Sequence, residues 1–191
     1  MATILNDIWI TLDQAEVRAH LPQTADQADP DLLQPALDAF HQARQAQGVF
    51  ETIGPELSPL PLGQADSGAV AVAATLGPEV DKLEDRPWMK QVLMAGLAQL
   101  EAFLNYRIKK RLALRNLFLG QPVVPGGPAG PELTLDQVLD LLGKNPLGLE
   151  VRGDHLFPPW SLAYLYPVSS SADQVQARAC ASCQKDCALR K

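Results

Sequence analysis

The sequence predicts an α+β fold. Its apolar runs are of two kinds, short β-prone stretches and longer stretches with helical spacing, and the two kinds alternate along the chain. Prolines and glycines, 16 and 13 of the 191 residues, gather into loops between them. With 47% hydrophobic and 20% charged residues, the chain can bury one substantial core.

The elements follow in order. Ile8–Ile10 is short, apolar and β-prone and reads as a strand. Thr11 and Gln14 have the spacing of a capping box, with a helix running to about His20. A polar linker spans Pro22 to Asp29. Pro30 opens a second helix with Leu33, Leu37 and Phe40 on one face, and Pro35 belongs near its first turn. Gly48 stops this helix, and Val49–Ile53 is a strand. Residues 54–67 form a loop punctuated by Pro55, Pro59, Pro61 and Gly63.

Ala69–Leu76 is a continuous apolar run of strand length, which suits a central strand buried on both faces. A long helix runs from Pro87 to about Arg115, with Trp88, Val92, Leu93, Leu97, Leu100, Leu104 and Ile108 on its apolar face. Glu101 interrupts that apolar stretch, and Lys109, Lys110, Arg111 and Arg115 load the end, where cations suit the helix dipole. Pro122–Pro131 is a Gly/Pro loop. Thr134 and Gln137 form another capping box, stapled by Leu133 and Val138, for a helix that ends near Gly143. Leu149–Val151 and Leu162–Tyr166 are late strands, and His155 falls in a turn between them. A short helix from Ser171 to about Ala179 would deliver the C-terminus. The sum is about five strands and four or five helices, with residues 1–171 as the domain and 172–191 as a cysteine-rich tail.

That tail carries all three cysteines, Cys180, Cys183 and Cys187, in a C-x2-C-x3-C arrangement. A C-x2-C turn aims two sulfurs at one point, and a third cysteine within a helical turn can close a three-sulfur cup. Four readings stand. A structural disulfide leaves one thiol over and lacks a secretory context. Zinc needs a fourth ligand, from His20, His41, His155 or a distant carboxylate. A four-iron cluster can sit on three cysteines with one iron open. Redox-active thiols without metal are the fourth, and Arg178, Lys185, Arg190 and Lys191 favour thiolates there. Metal or cluster binding leads these readings.

The net charge of −6 and the lack of a basic stripe argue against a nucleic-acid surface. No apolar run has membrane-spanning length, and the N-terminus has no basic segment or cleavage pattern, so a cytoplasmic protein with reduced thiols is expected.

From Thr75 to Asp81 (TLGPEVD) the chain resembles the activation-domain family of vitamin B12-dependent methionine synthase, in a short stand-alone form. The resemblance spans roughly residues 5–191 as one domain. It continues through the long helix with its central Glu101, then Arg115 and Gly120, the Pro-rich loop, the helix at Leu135–Leu142, a late strand and the terminal cysteines. It implies a twisted, mostly antiparallel sheet flanked by helices, and S-adenosylmethionine as ligand. The implied partner is a corrinoid-carrying methyltransferase, reactivated by one electron from a redox donor together with the ligand's methyl group. By the same resemblance Glu101 would accept a hydrogen bond from the ligand ammonium, Arg115 would pair with its carboxylate, and Gly120 would let backbone approach it. Gln121 stands where the family has a tyrosine, and Ser169–Ser171 is the nearest remnant of its late-strand motif. A second function is an iron–sulfur or zinc electron-transfer module that kept this fold without that ligand.

Overall fold

The computed structural model describes residues 2–19, 30–60, 66–143 and 146–172. The centre of the fold is a curled, fully antiparallel sheet of five strands. These are β1 (Thr3–Leu5), β2 (Gln47–Ile53), β3 (Asp66–Thr75), β4 (Phe118–Leu119) and, last in sequence, β7 (Ser161–Ser169). Their order across the sheet is β1-β2-β3-β7-β4. A separate hairpin joins β5 (Glu150–Arg152) to β6 (His155–Phe157). The helices are α1 (Gln14–Ala19), α2 (Pro30–Ala43), α3 (Met89–Ala113) and α4 (Leu135–Leu141).

The expected α+β class with a twisted antiparallel sheet is the one observed. The run Ala69–Leu76 does lie at the sheet centre, as most of β3, between β2 and β7. Successive strand side chains point to opposite faces, so β3 feeds two cores. Val70, Val72 and Ala74 pack with α2 and α3, while Ala69, Ala71 and Ala73 pack with α4. On β7, Tyr164, Tyr166 and Val168 join the first core, and Ala163 and Leu165 the second. The result is three layers: α1–α3, the sheet, and α4 with the hairpin.

Several local expectations are corrected. Ile8–Ile10 is not a strand; β1 lies earlier, at Thr3–Leu5, and pairs with Gly48–Phe50 of β2. Ile8, Ile10 and Leu12 are buried and alternate with exposed Trp9 and Thr11, which gives the strand-like pattern. Only Ile8 N–H reaches across, to Ala46 O at 2.9 Å, so no ladder forms. The first capping box is Asp13 with Glu16, two residues beyond the expected pair. Glu16 N–H donates to Asp13 Oδ1 at 2.8 Å, and Asp13 N–H donates to Glu16 Oε2 at 2.9 Å. Carboxylates accept these bonds more strongly than a hydroxyl and an amide.

Pro35 lies inside α2, beyond the first turn, where it removes one backbone bond. The expected loop at 54–67 contains a 3-10 turn, Pro55–Leu57, and β3 already begins at Asp66. The short strands β4 and β6 were not foreseen, and His155 opens β6 instead of sitting in the turn. The Thr134–Gln137 capping box forms in both directions. The helix expected from Ser171 lies almost wholly outside the described residues, as do His20 and the cysteines.

Candidate functional site

The site is built where β7 loses its neighbours on the side away from β3. At one end of β7, Phe118 and Leu119 of β4 pair with Ser169 and Val168. Gly120 N–H then donates to Pro167 O at 2.8 Å. Val123 and Leu165 exchange two backbone bonds, of 2.7 and 3.1 Å. Beyond Leu165 the covering chain turns away, and the start of β7 opens into a groove of about 820 Å³.

One wall of the groove is a stripe of α3: Met94, Leu97, Ala98 and Glu101, at the three- and four-residue spacing of a single helix face. The opposite walls are Pro122 and Val124 of the Gly/Pro loop, Leu135 of α4 and the β5–β6 hairpin. Ser161 to Tyr164 of β7 complete the lining. Most of this surface is apolar, and a few polar groups converge on it. That is the usual make-up of a small-molecule site, and the volume falls within the ~300–1,000 Å³ typical of one.

The polar groups are under strain from burial. Tyr164 is only 4% exposed, and its hydroxyl has no hydrogen-bond partner. Ser161 Oγ is buried and unpartnered as well. Such atoms carry a desolvation cost that a ligand can offset. Burial raises the carboxyl of Glu101 above its ordinary 4.5. Burial also raises the Tyr164 phenol, with smaller contributions from neighbouring Tyr166 and Glu101. The two tyrosine rings meet edge to face, with centroids 5.0 Å apart. The two hydroxyls act on one another at hydrogen-bonding range, and Asn105 acts on Tyr166 in the same way, yet neither hydroxyl makes a hydrogen bond of ordinary geometry.

At the groove rim, Arg152 donates to Glu150 Oε2 through Nη2 at 2.7 Å and Nε at 3.1 Å. Its guanidinium also lies 3.7 Å from the centroid of the Phe157 ring. His155 and Asp154 form an exposed pair beside it, at 3.0 Å.

Of the three ligand-binding residues expected from the sequence, the groove gathers one. Glu101 lines it; Arg115 and Gly120 do not. Arg115 follows the end of α3 and is exposed, roughly 20 Å along the helix axis from Glu101. Gly120 is explained by packing: a Cβ there would sit 2.7 Å from Pro167 Cγ and 3.0 Å from Pro167 O. Sequence reasoning passed over Tyr164, Ser161 and Arg152. The Tyr-x-Tyr pattern of β7 was the available signal, since two phenols on one strand face share one burial problem.

Cys180, Cys183 and Cys187 lie outside the described residues. Among the described residues no cluster of three or more His, Cys, Asp or Glu side chains could hold a metal. No described helix is long and apolar enough to cross a membrane. No protein-family model matches the chain, and no curated protein matches it in sequence.

Proposed function

We propose that this chain is an accessory protein for reductive reactivation of a corrinoid methyltransferase and that it holds S-adenosylmethionine in the groove between α3, β7 and the hairpin. One observation carries the reading. Glu101, the mid-helix glutamate that the sequence resemblance singles out, lines the groove together with Tyr164, whose buried hydroxyl makes no hydrogen bond of ordinary geometry.

The residues present fit such a ligand in part. Ionised Glu101 accepts hydrogen bonds from an ammonium, and its partial burial strengthens that pairing. The hydroxyls of Tyr164 and Ser161 can donate to ligand oxygens or nitrogens. The apolar wall of Met94, Leu97 and Ala98 excludes water from a long, largely uncharged ligand body. Arg115 is too far from Glu101 to meet the same amino-acid head group, so the cation at hand is Arg152. When bound, S-adenosylmethionine supplies a sulfonium methyl group for transfer to reduced cobalt of the partner's corrinoid. The protein's part is to bind and orient.

Docking of the corrinoid partner is assigned to the Pro122–Pro131 loop. Pro122 and Val124 border the groove, and Val124 is 55% exposed. One electron must come from a separate redox donor. Cys180, Cys183 and Cys187 are assigned to one zinc or iron–sulfur centre, on their spacing alone. That spacing also supports the second reading, an electron-transfer module that keeps the fold without S-adenosylmethionine. Anaerobic purification separates the two. A coloured, iron- and sulfide-bearing protein that ignores S-adenosylmethionine is the electron-transfer module, and a protein that binds S-adenosylmethionine is the reactivation accessory.

A further inference from the structure

A second concavity, of about 320 Å³, lies on the other side of the fold, against β1 at the opposite edge of the sheet from the groove. Its helical wall is Arg107, Lys110, Arg111 and Leu114, which recur at the spacing of one helix face. Its other wall is Thr3 and Leu5 of β1 with Phe50 of β2.

Three cations therefore face one small space, and among the described residues no carboxylate lines it. No acidic residue occurs in the sequence between Glu101 and Glu132. Among the described residues, no ion pair involves these cations. The dipole of α3 favours Lys110 and Arg111 in its last turn. It does not account for Arg107, a turn earlier, because the dipole's effect falls off within that turn. Like charges three and four residues apart repel, so the stripe is held against its own field.

The stripe is also positioned. Arg111 donates to the Thr3 hydroxyl, and its guanidinium lies 5.6 Å from the Phe50 ring centroid. Phe50 is buried, so this floor is fixed. The Thr3 hydroxyl accepts from Arg111 and keeps its own proton to donate.

We propose that this concavity binds a small phosphate-bearing anion, with Arg107, Lys110 and Arg111 supplying the charge and Thr3 a hydroxyl donor. Arginine forks match phosphate oxygens in pairs, and lysine adds a compact charge. The volume stands at the small end of ligand sites, which suits a diphosphate or a phosphate ester better than a macromolecule.

The test is calorimetric titration of the full chain with inorganic pyrophosphate at low salt, repeated at higher salt. Saturable binding that weakens with salt is expected. The double variant Lys110→Gln, Arg111→Gln should lose affinity about tenfold or more, with an unchanged circular dichroism spectrum. Arg107→Gln, which leaves the Thr3 contact intact, should lose severalfold and serves if the double variant fails to fold. Absence of saturable binding overturns the proposal, and so does binding unchanged in the variants. Retention on phosphatidylserine vesicles without any response to pyrophosphate also overturns it, in favour of a diffuse attraction to anionic surfaces.

Discussion

Glu101 on α3 and Tyr164 on β7 line the same groove, and the charge of the glutamate adds to the burial that holds the tyrosine protonated. Neither group gains from this in the free protein. The carboxyl is pushed above its ordinary value by burial, and the hydroxyl is buried without a hydrogen bond of ordinary geometry. A pair of residues with groups disfavoured in the folded chain, both lining one concavity, is the physical basis for reading the groove as a binding site.

Tyr164→Phe separates stability from binding. An unpartnered buried hydroxyl costs about 1–3 kcal/mol. Its removal should leave stability unchanged or raise it by up to ~1 kcal/mol in urea unfolding, while affinity for S-adenosylmethionine falls. A clear loss of stability would mean that the hydroxyl has a partner in the folded protein.

His41 should make stability depend on pH. Leu12 N–H donates to His41 Nε2 at 3.1 Å, which requires the neutral ring. Burial lowers the pKa from its ordinary 6.5, Arg44 lowers it further, and Asp38 opposes them. The folded value lies below the unfolded one, so this stabilisation is complete above pH 6.5 and is lost as pH falls through the folded value. The loss should be on the order of 1 kcal/mol in urea titrations at several pH values. It should vanish in His41→Gln, whose amide oxygen can accept without titrating. Parallel pH profiles for the two proteins would refute the assignment.

Gly96→Ala tests how tightly α2 and α3 meet. In an exposed helix interior alanine is better than glycine by about 1 kcal/mol. Here a Cβ would lie 2.8 Å from Phe40 Cζ, and Phe40 is fully buried. Overpacking should dominate and destabilise by roughly 1–3 kcal/mol. A stabilised variant would show that the two helices can separate at little cost.

Cys183→Ser addresses the tail. If Cys180, Cys183 and Cys187 hold one centre, three protein ligands leave no spare, and metal content should fall nearly to zero. Metal and sulfide analysis of protein made without oxygen reads this directly. Wild-type protein with neither zinc nor iron would turn the reading to free thiols.

Much of the fold was legible because local signals agreed with tertiary packing. The unbroken apolar run at Ala69–Leu76 marked a strand covered on both faces, and Thr134 with Gln137 marked the start of α4. The misses came where tertiary partners decide. Ile8–Ile10 has a strand's alternation, but the edge of β2 is already taken by Thr3–Leu5. β4 is two residues long, too short for any periodicity, and exists because the end of β7 offers it an edge. Glu101 was readable as a charge in an apolar stripe. Arg115 lies just past the end of the same helix yet shares no site with Glu101, since that depends on a distance of several turns. Tyr164 was hidden because an unpartnered hydroxyl becomes visible only once its surroundings are known.

The most direct test of the central claim is calorimetric titration of the chain with S-adenosylmethionine, compared with Glu101→Gln across pH. The account predicts one saturable site whose affinity drops about tenfold or more in Glu101→Gln. In the wild type, affinity should fall as pH is lowered through the raised Glu101 pKa, which lies above 4.5, because the protonated carboxyl no longer attracts an ammonium. Absence of binding, or binding that is the same in both proteins at every pH, would contradict it.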